Sequence, residues 1–141
     1  MSTRCHIAIK LKQEDLGKKL LINENNKEHQ LTTDEGFPYM FIYINHDGYL
    51  SGVGHGLLNE LGVDYDTVKN YILKGNRTSF TCPYTECNET WDHNKPKFCK
   101  SIDGSIPEDY LYVLIDGKWF YRTWNDDGRL KELTNEKING K

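Results

Sequence analysis

Apolar and polar positions alternate with a period of two in several short stretches, and these set out the expected sheet. Cys5-His-Ile-Ala-Ile-Lys-Leu-Lys reads as a strand over about residues 4–12. Residues 13–36 are polar, rich in Asn, Lys and Glu, and read as a long excursion with one short strand at Lys19-Leu-Leu-Ile. Phe37-Pro-Tyr-Met-Phe-Ile-Tyr-Ile-Asn carries the strongest β signal of the first half, with strand from Tyr39 to Asn45, stopping at Asp47-Gly48. Farther on, Tyr110-Leu-Tyr-Val-Leu-Ile, the pair Asp116-Gly117 and Lys118-Trp-Phe-Tyr-Arg-Thr-Trp spell a hairpin with a type I′ turn. After Asn125-Asp-Asp-Gly, Arg129-Leu-Lys-Glu-Leu predicts one more short strand.

The period changes between these strands. A first helix is expected from about Val53 to Leu61, ending at Gly62, a usual residue just past a helix C-terminus. A second begins at the N-cap Asp64 and places Tyr65, Val68, Tyr71 and Ile72 on one face before Gly75-Asn76 stops it. Residues 77–107 show little periodicity and read as a loop-rich insertion. The order of strands, two helices and strands predicts an α+β fold: an antiparallel sheet with the helix pair packed on one face. Residues 1–134 form one domain in this reading, and residues 135–141 a polar tail that frays.

Composition narrows the choice of function. The chain has 141 residues, a net charge of −3 and only 37% hydrophobic residues, yet it holds 9 Tyr, 5 Phe and 3 Trp. Aromatics must therefore supply much of the buried area, and any surplus belongs on a surface. The mildly acidic balance argues against a nucleic-acid partner. No stretch reaches the ~18 apolar residues of a membrane span, and no export signal follows Met1, so a cytoplasmic location is expected. A chain of this size with a small core also suits a homodimer.

Tyr43-Ile-Asn-His-Asp-Gly-Tyr-Leu-Ser-Gly-Val-Gly-His-Gly is the densest cluster of glycine and polar residues, at a strand-to-helix junction. Two readings stand. Gly52 and Gly54 let backbone approach a phosphate or carboxylate at a helix N-terminus, with Asn45, His46, Asp47 and Tyr49 around it. Alternatively Asp47 bonds the free N–H groups itself and the turn is structural. It lacks the Lys-Ser/Thr of a phosphate-binding P-loop.

The opening Met1-Ser-Thr-Arg-Cys-His-Ile-Ala-Ile, the motif Asn45-His-Asp-Gly-Tyr-Leu-Ser-Gly-Val-Gly and the hairpin Asp116-Gly-Lys-Trp-Phe-Tyr resemble a family of small uncharacterised proteins common in phages and prophages. Its members typically begin Met-Gly/Ser-Thr-Arg-Ser-x-Ile and carry His-Trp-Asp-Gly-Tyr-Pro-x-Gly-x-Gly before a helix pair. Here Asn45 stands at the family's His, His46 at its aromatic and Leu50 at its Pro. The resemblance implies a phage context, and so the host cytoplasm, rather than a particular reaction. It also implies that Arg4 meets the Asp47–Tyr49 loop, either as an ion pair that fixes the turn or as an anion clamp.

Two further constellations bear on chemistry. Cys82-x4-Cys87-x5-His93-x5-Cys99 supplies a Cys₃His set of the kind tetrahedral zinc accepts, at spacings wider than structural sites usually show. Incidental cysteines or a Cys82–Cys87 disulfide are the competing readings, and no cofactor is expected. On the hairpin, Trp119 and Tyr121 share one side, and Phe120, Arg122 and Trp124 the other; one set packs on the helices, and the other either stacks on a planar ligand with Arg122 or, as the favoured reading, is simply covered too. The favoured function is a non-catalytic protein that sequesters a small anionic ligand, in particular a nucleotide-derived immune signal of the phage's host. One alternative is a small hydrolase that uses His46 and Asp47, or Ser2 as an N-terminal nucleophile. Another is an inhibitor that binds a host protein through exposed aromatics.

Overall fold

In a computed structural model, residues 3–24, 27–83, 91–102, 110–123 and 129–140 are described. A mixed sheet organises them. Its strands are β1 (Cys5–Lys10), β4 (Tyr39–Ile44), β5 (Arg77–Ser79), β6 (Cys82–Pro83), β7 (Lys97–Cys99), β8 (Tyr110–Ile115), β9 (Lys118–Thr123) and β10 (Lys131–Glu132). The order across the sheet is β10-β9-β8-β1-β4-β5-β6, with β7 also pairing β4. A separate hairpin joins β2 (Lys19–Glu24) to β3 (Lys27–Thr32), so a second strand stands where only polar excursion was expected.

The sheet departs from the antiparallel expectation in two places. β1 runs parallel to β8, with Cys5 beside Tyr110 and Ile9 beside Leu114, and β4 runs parallel to β5 at Ile44 and Arg77. The cause is that β1 sits between β4 and β8, antiparallel to the first and parallel to the second. The expected loop-rich insertion also joins the sheet: β5, β6 and β7 are strands of two or three residues, too short for any period to show.

Alternation sorts each strand into two faces. Cys5, Ile7 and Ile9, Met40, Ile42 and Ile44, Tyr112 and Leu114, and Trp119 and Tyr121 join the larger core. Helical residues cover that face. Leu50–Leu61 forms a widened helical segment that buries Val53 and Leu57 and ends at Gly62 with φ +87°. Helix α1 (Tyr65–Leu73) buries Val68, Ile72 and Leu73, and its N-cap Asp64 accepts from the Thr67 backbone N–H at 3.0 Å. The opposite face carries Ala8, Leu111 and Val113, clustered with Cys99 of β7 and Ile102 just beyond it, with Phe41, Phe120 and Leu130 alongside.

The type I′ hairpin forms as expected: Asp116 and Gly117 both take positive φ, 51° and 79°. Within the expected polar tail, residues 135–140 form helix α3 (Asn135–Gly140), and Ile138 packs into the main core at 7% exposure. A short helix, α2 (Trp91–Asn94), turns Trp91 into the same core. No helix among the described residues is long and apolar enough to cross a membrane.

Candidate functional site

The glycine turn packs against its own chain. Asp47 takes φ +60°, and its carbonyl accepts from the Val53 N–H at 2.9 Å. A side chain at Gly52 would meet that same carbonyl, and one at Gly54 would lie 3.3 Å from the Tyr112 ring. The Tyr112 hydroxyl, fully buried, donates to the Gly48 carbonyl at 2.7 Å. Burial, reinforced by Cys5 and neighbouring tyrosines, raises its pKa, so it remains a donor. The close approaches that the glycines permit are thus filled by protein atoms.

The residues around the turn are brought together, but they bond largely to one another. The Asn45 and His46 N–H groups donate to the Arg77 and Thr78 carbonyls, extending the β4–β5 pairing. Tyr43 donates to the Asn45 side chain at 3.0 Å, and the Asn45 amide lies 3.4 Å from His46 Nε2. Tyr49 donates to Asp47 at 3.3 Å. The chain just before β1 meets this loop through the backbone, the Gly48 N–H donating to the Thr3 carbonyl at 2.8 Å. Arg4 is exposed, and among the described residues no ion pair joins it to Asp47.

The hairpin residues weighed as a stacking surface are covered on both sides. Trp119 is 1% exposed and donates from Nε1 to the Gly62 carbonyl at 2.8 Å, tying the hairpin to the end of the helical segment. Tyr121, 6% exposed, lies in the same core. Arg122, 8% exposed on the other side, donates to the Ile102 carbonyl at 2.8 Å. The physical reason is that both faces of β9 are covered, one by the helical layer and one by the chain after β7. Trp124, Ser2 and Cys87 lie outside the described residues. Among the described residues no three His, Cys, Asp or Glu side chains gather as a metal site; Cys99 lies buried beside Ala8, and His93 is exposed on α2.

A different place gathers charge. Thr67, Asn70 and Tyr71 of α1 and its C-cap Lys74 recur at helical spacing and, with Arg77 from β5, line an open groove of about 330 Å³. That volume falls in the range of small-molecule sites, and none of its lining residues is acidic. Arg77 is only 4% exposed. Its guanidinium lies 3.6 Å from the centre of the Tyr71 ring and donates to the Tyr71 carbonyl at 3.0 Å and the Phe80 carbonyl at 3.4 Å.

The backbone explains why a charge is tolerated there. Tyr71 belongs to the last turn of α1, whose carbonyls carry the partial negative end of the helix. Arg77 bonds the Tyr71 carbonyl, Trp91 Nε1 bonds that of Leu73 at 2.8 Å, and the Gly75 N–H bonds that of Ile72. Gly75, at φ +95°, turns the chain so that Arg77 returns beneath its own helix. The Tyr71 hydroxyl donates to the Phe80 carbonyl at 2.6 Å, and burial raises its pKa although Arg77 pulls the other way. The groove is therefore lined by two cationic side chains and the Asn70 amide, while the Thr67 hydroxyl donates to the Asp64 carboxylate at 2.8 Å. Such a set holds an anion without moving a proton. In the sequence it shows only as polar residues at positions 67, 70 and 74 of an amphipathic helix, followed by an arginine. No family model matches the chain, and neither a curated protein nor a solved structure shows significant similarity to it.

Proposed function

We propose that this protein binds a small anionic ligand without transforming it, and that the ligand lies in the groove lined by Thr67, Asn70, Tyr71, Lys74 and Arg77. One observation carries the reading: a groove of ligand size presents Lys74 and Arg77 and no carboxylate. Arg77 is held by the C-terminal turn of α1, so its charge is oriented before a ligand arrives, and preorganisation of this kind lowers the cost of binding. In the phage setting implied by the N-terminal and Asp-Gly-Tyr motifs, the ligand is a nucleotide-derived signal of the host, and binding sequesters it.

The test is a thermal-shift screen over linear and cyclic nucleotides and inorganic phosphate, followed by calorimetry. A ligand at 100 times its Kd stabilises the fold by about 2.7 kcal/mol, which at this chain length is a shift of roughly 10 °C. The bound compound should be recovered unchanged on heating, and Lys74→Glu, an exposed position, should abolish the shift without lowering the melting point of the free protein. A panel that produces no shift, or a shift that survives Lys74→Glu, sinks the proposal.

A further inference from the structure

The outer edge of β4 is shared by two short strands that meet it end to end. β7 pairs with Tyr39, Met40 and Phe41, and β5 pairs with Ile44. Between them the sheet has a gap, and Asn76 bridges it: its Oδ1 accepts from the Tyr43 backbone N–H at 3.0 Å. Beside this bridge lies a recess of about 60 Å³, lined by His6, Phe41, Ile42, Tyr43, Asn76 and Lys97. His6, Phe41 and Tyr43 occupy the sheet face opposite the helical layer, with the His6 ring centre 5.7 Å from that of Phe41 and 5.5 Å from that of Tyr43. Lys97 pairs directly across from Phe41 and so stands on the same face.

Two of the polar side chains lining the recess, Asn76 and Lys97, carry donor groups. Asn76 spends its oxygen on Tyr43, which leaves the Nδ2 hydrogens. Lys97 contributes an ammonium at the mouth, and the edges of aromatic rings carry partial positive charge. The recess is far below the ~300 Å³ lower end of small-molecule pockets and so suits a compact ion rather than a nucleotide. We propose that the recess between His6, Asn76 and Lys97 is a second site, independent of the α1 groove, for a compact anion such as a halide or a carboxylate group. Burial and then the Lys97 charge push the His6 pKa down to about 4, so an anion that neutralises Lys97 also relieves part of that pressure on His6, which faces Lys97 from β1 beside Tyr43.

The experiment is a titration followed by ¹⁵N–¹H NMR, adding chloride, formate and phosphate separately to protein in an otherwise halide-free buffer. Saturable shifts of the Asn76 side-chain amide and the Tyr43 backbone amide are expected with chloride or formate. Lys97→Gln, an exposed change, should weaken the response about tenfold, as loss of one charge-assisted hydrogen bond implies. Lys74→Glu should leave it unchanged, which separates this site from the groove. Shifts that grow linearly without saturating, that are equal in Lys97→Gln, or that appear only with phosphate at the groove residues would overturn the proposal.

Discussion

The bond between Tyr112 and Gly48 is the sharpest handle on the glycine turn. Tyr112→Phe removes one oxygen from the centre of the core and leaves the ring, its packing on Gly54 and its contact with Tyr110 in place. No cavity of consequence forms, so the effect isolates the hydrogen bond. The Gly48 carbonyl, buried with its residue, loses that partner while water stays excluded. An orphaned buried carbonyl costs about 1–3 kcal/mol, against the 0.5–1.5 kcal/mol that an average exchangeable bond contributes. At roughly 3–4 °C per kcal/mol for a chain of this length, the melting point should fall by about 4–10 °C. Urea unfolding should show a lower midpoint with an unchanged slope, because the surface exposed on unfolding is the same. On the proposed function, the variant should also bind its anionic ligand with wild-type affinity, since the groove on α1 is built from other elements. A loss below about 0.5 kcal/mol would mean that the bond does not hold the turn. A variant that keeps its stability and loses ligand would return the binding site to the glycine turn.

Four other outcomes follow from the same geometry. Gly52→Ala drives a methyl into the Asp47 carbonyl and should cost about 3 kcal/mol, the upper part of the overpacking range, whereas Gly56→Ala meets the Phe80 ring and should be partly rescued by Phe80→Leu; chemical denaturation of the three variants separates the cases. Trp91→Phe removes the donor to the Leu73 carbonyl and should destabilise by about 1–2 kcal/mol, with fraying of the last turn of α1 visible as faster amide exchange. His6, held at a pKa of about 4 by burial and by Lys97, stays neutral when folded but takes up a proton near pH 6.5 when unfolded, so its contribution is complete above pH 6.5 and is lost as pH falls toward 4; His6→Gln should flatten the melting curve against pH across that window. Asp15 is pushed upward by its partial burial, but the Tyr65 hydroxyl at 2.6 Å and Lys69 at 3.1 Å outweigh this and hold it below its usual value, so the stability it provides is present above about pH 4 and lost in more acidic solution, and Asp15→Asn should reduce the slope of the acid limb.

Local signals in the sequence carried far, and long-range pairing did not. The run Tyr39–Asn45 predicts β4 to within one residue because each alternate side chain enters the core. Asp64, Gly62 and Gly75 mark the ends of helical segments because each acts within a few residues of itself. The parallel neighbour of β1 has no such mark, since nothing in Cys5–Lys10 names Tyr110 as its partner. Ile138 illustrates the same limit: one apolar residue in a polar tail gives no period, yet its docking is enough to order a helix. Trp119, Tyr121 and Arg122 were legible as a two-sided strand, but the cover on each side comes from residues distant in the chain. The groove on α1 stayed hidden for a related reason. Its character depends on Arg77 turning back beneath the helix, whereas the sequence shows only a hydrophilic face of the ordinary kind.

The place of β1 has a consequence for how the protein is made. The strand at the middle of the sheet is synthesised long before β8, which completes its pairing on one side. Until Tyr110–Ile115 leaves the ribosome, Cys5, Ile7 and Ile9 have half of their sheet neighbours missing, and the core face of β1 lacks Tyr112 and Leu114. Contacts of such separation slow folding and leave an unpaired apolar strand exposed in the interval. The β4 pairing and the α1 contacts are the available shelter in that period, since both elements emerge earlier and pack against β1. The nascent chain is therefore most prone to aggregate before β8 emerges, and a chain stalled ahead of β8 should bind a chaperone that one stalled beyond β9 does not.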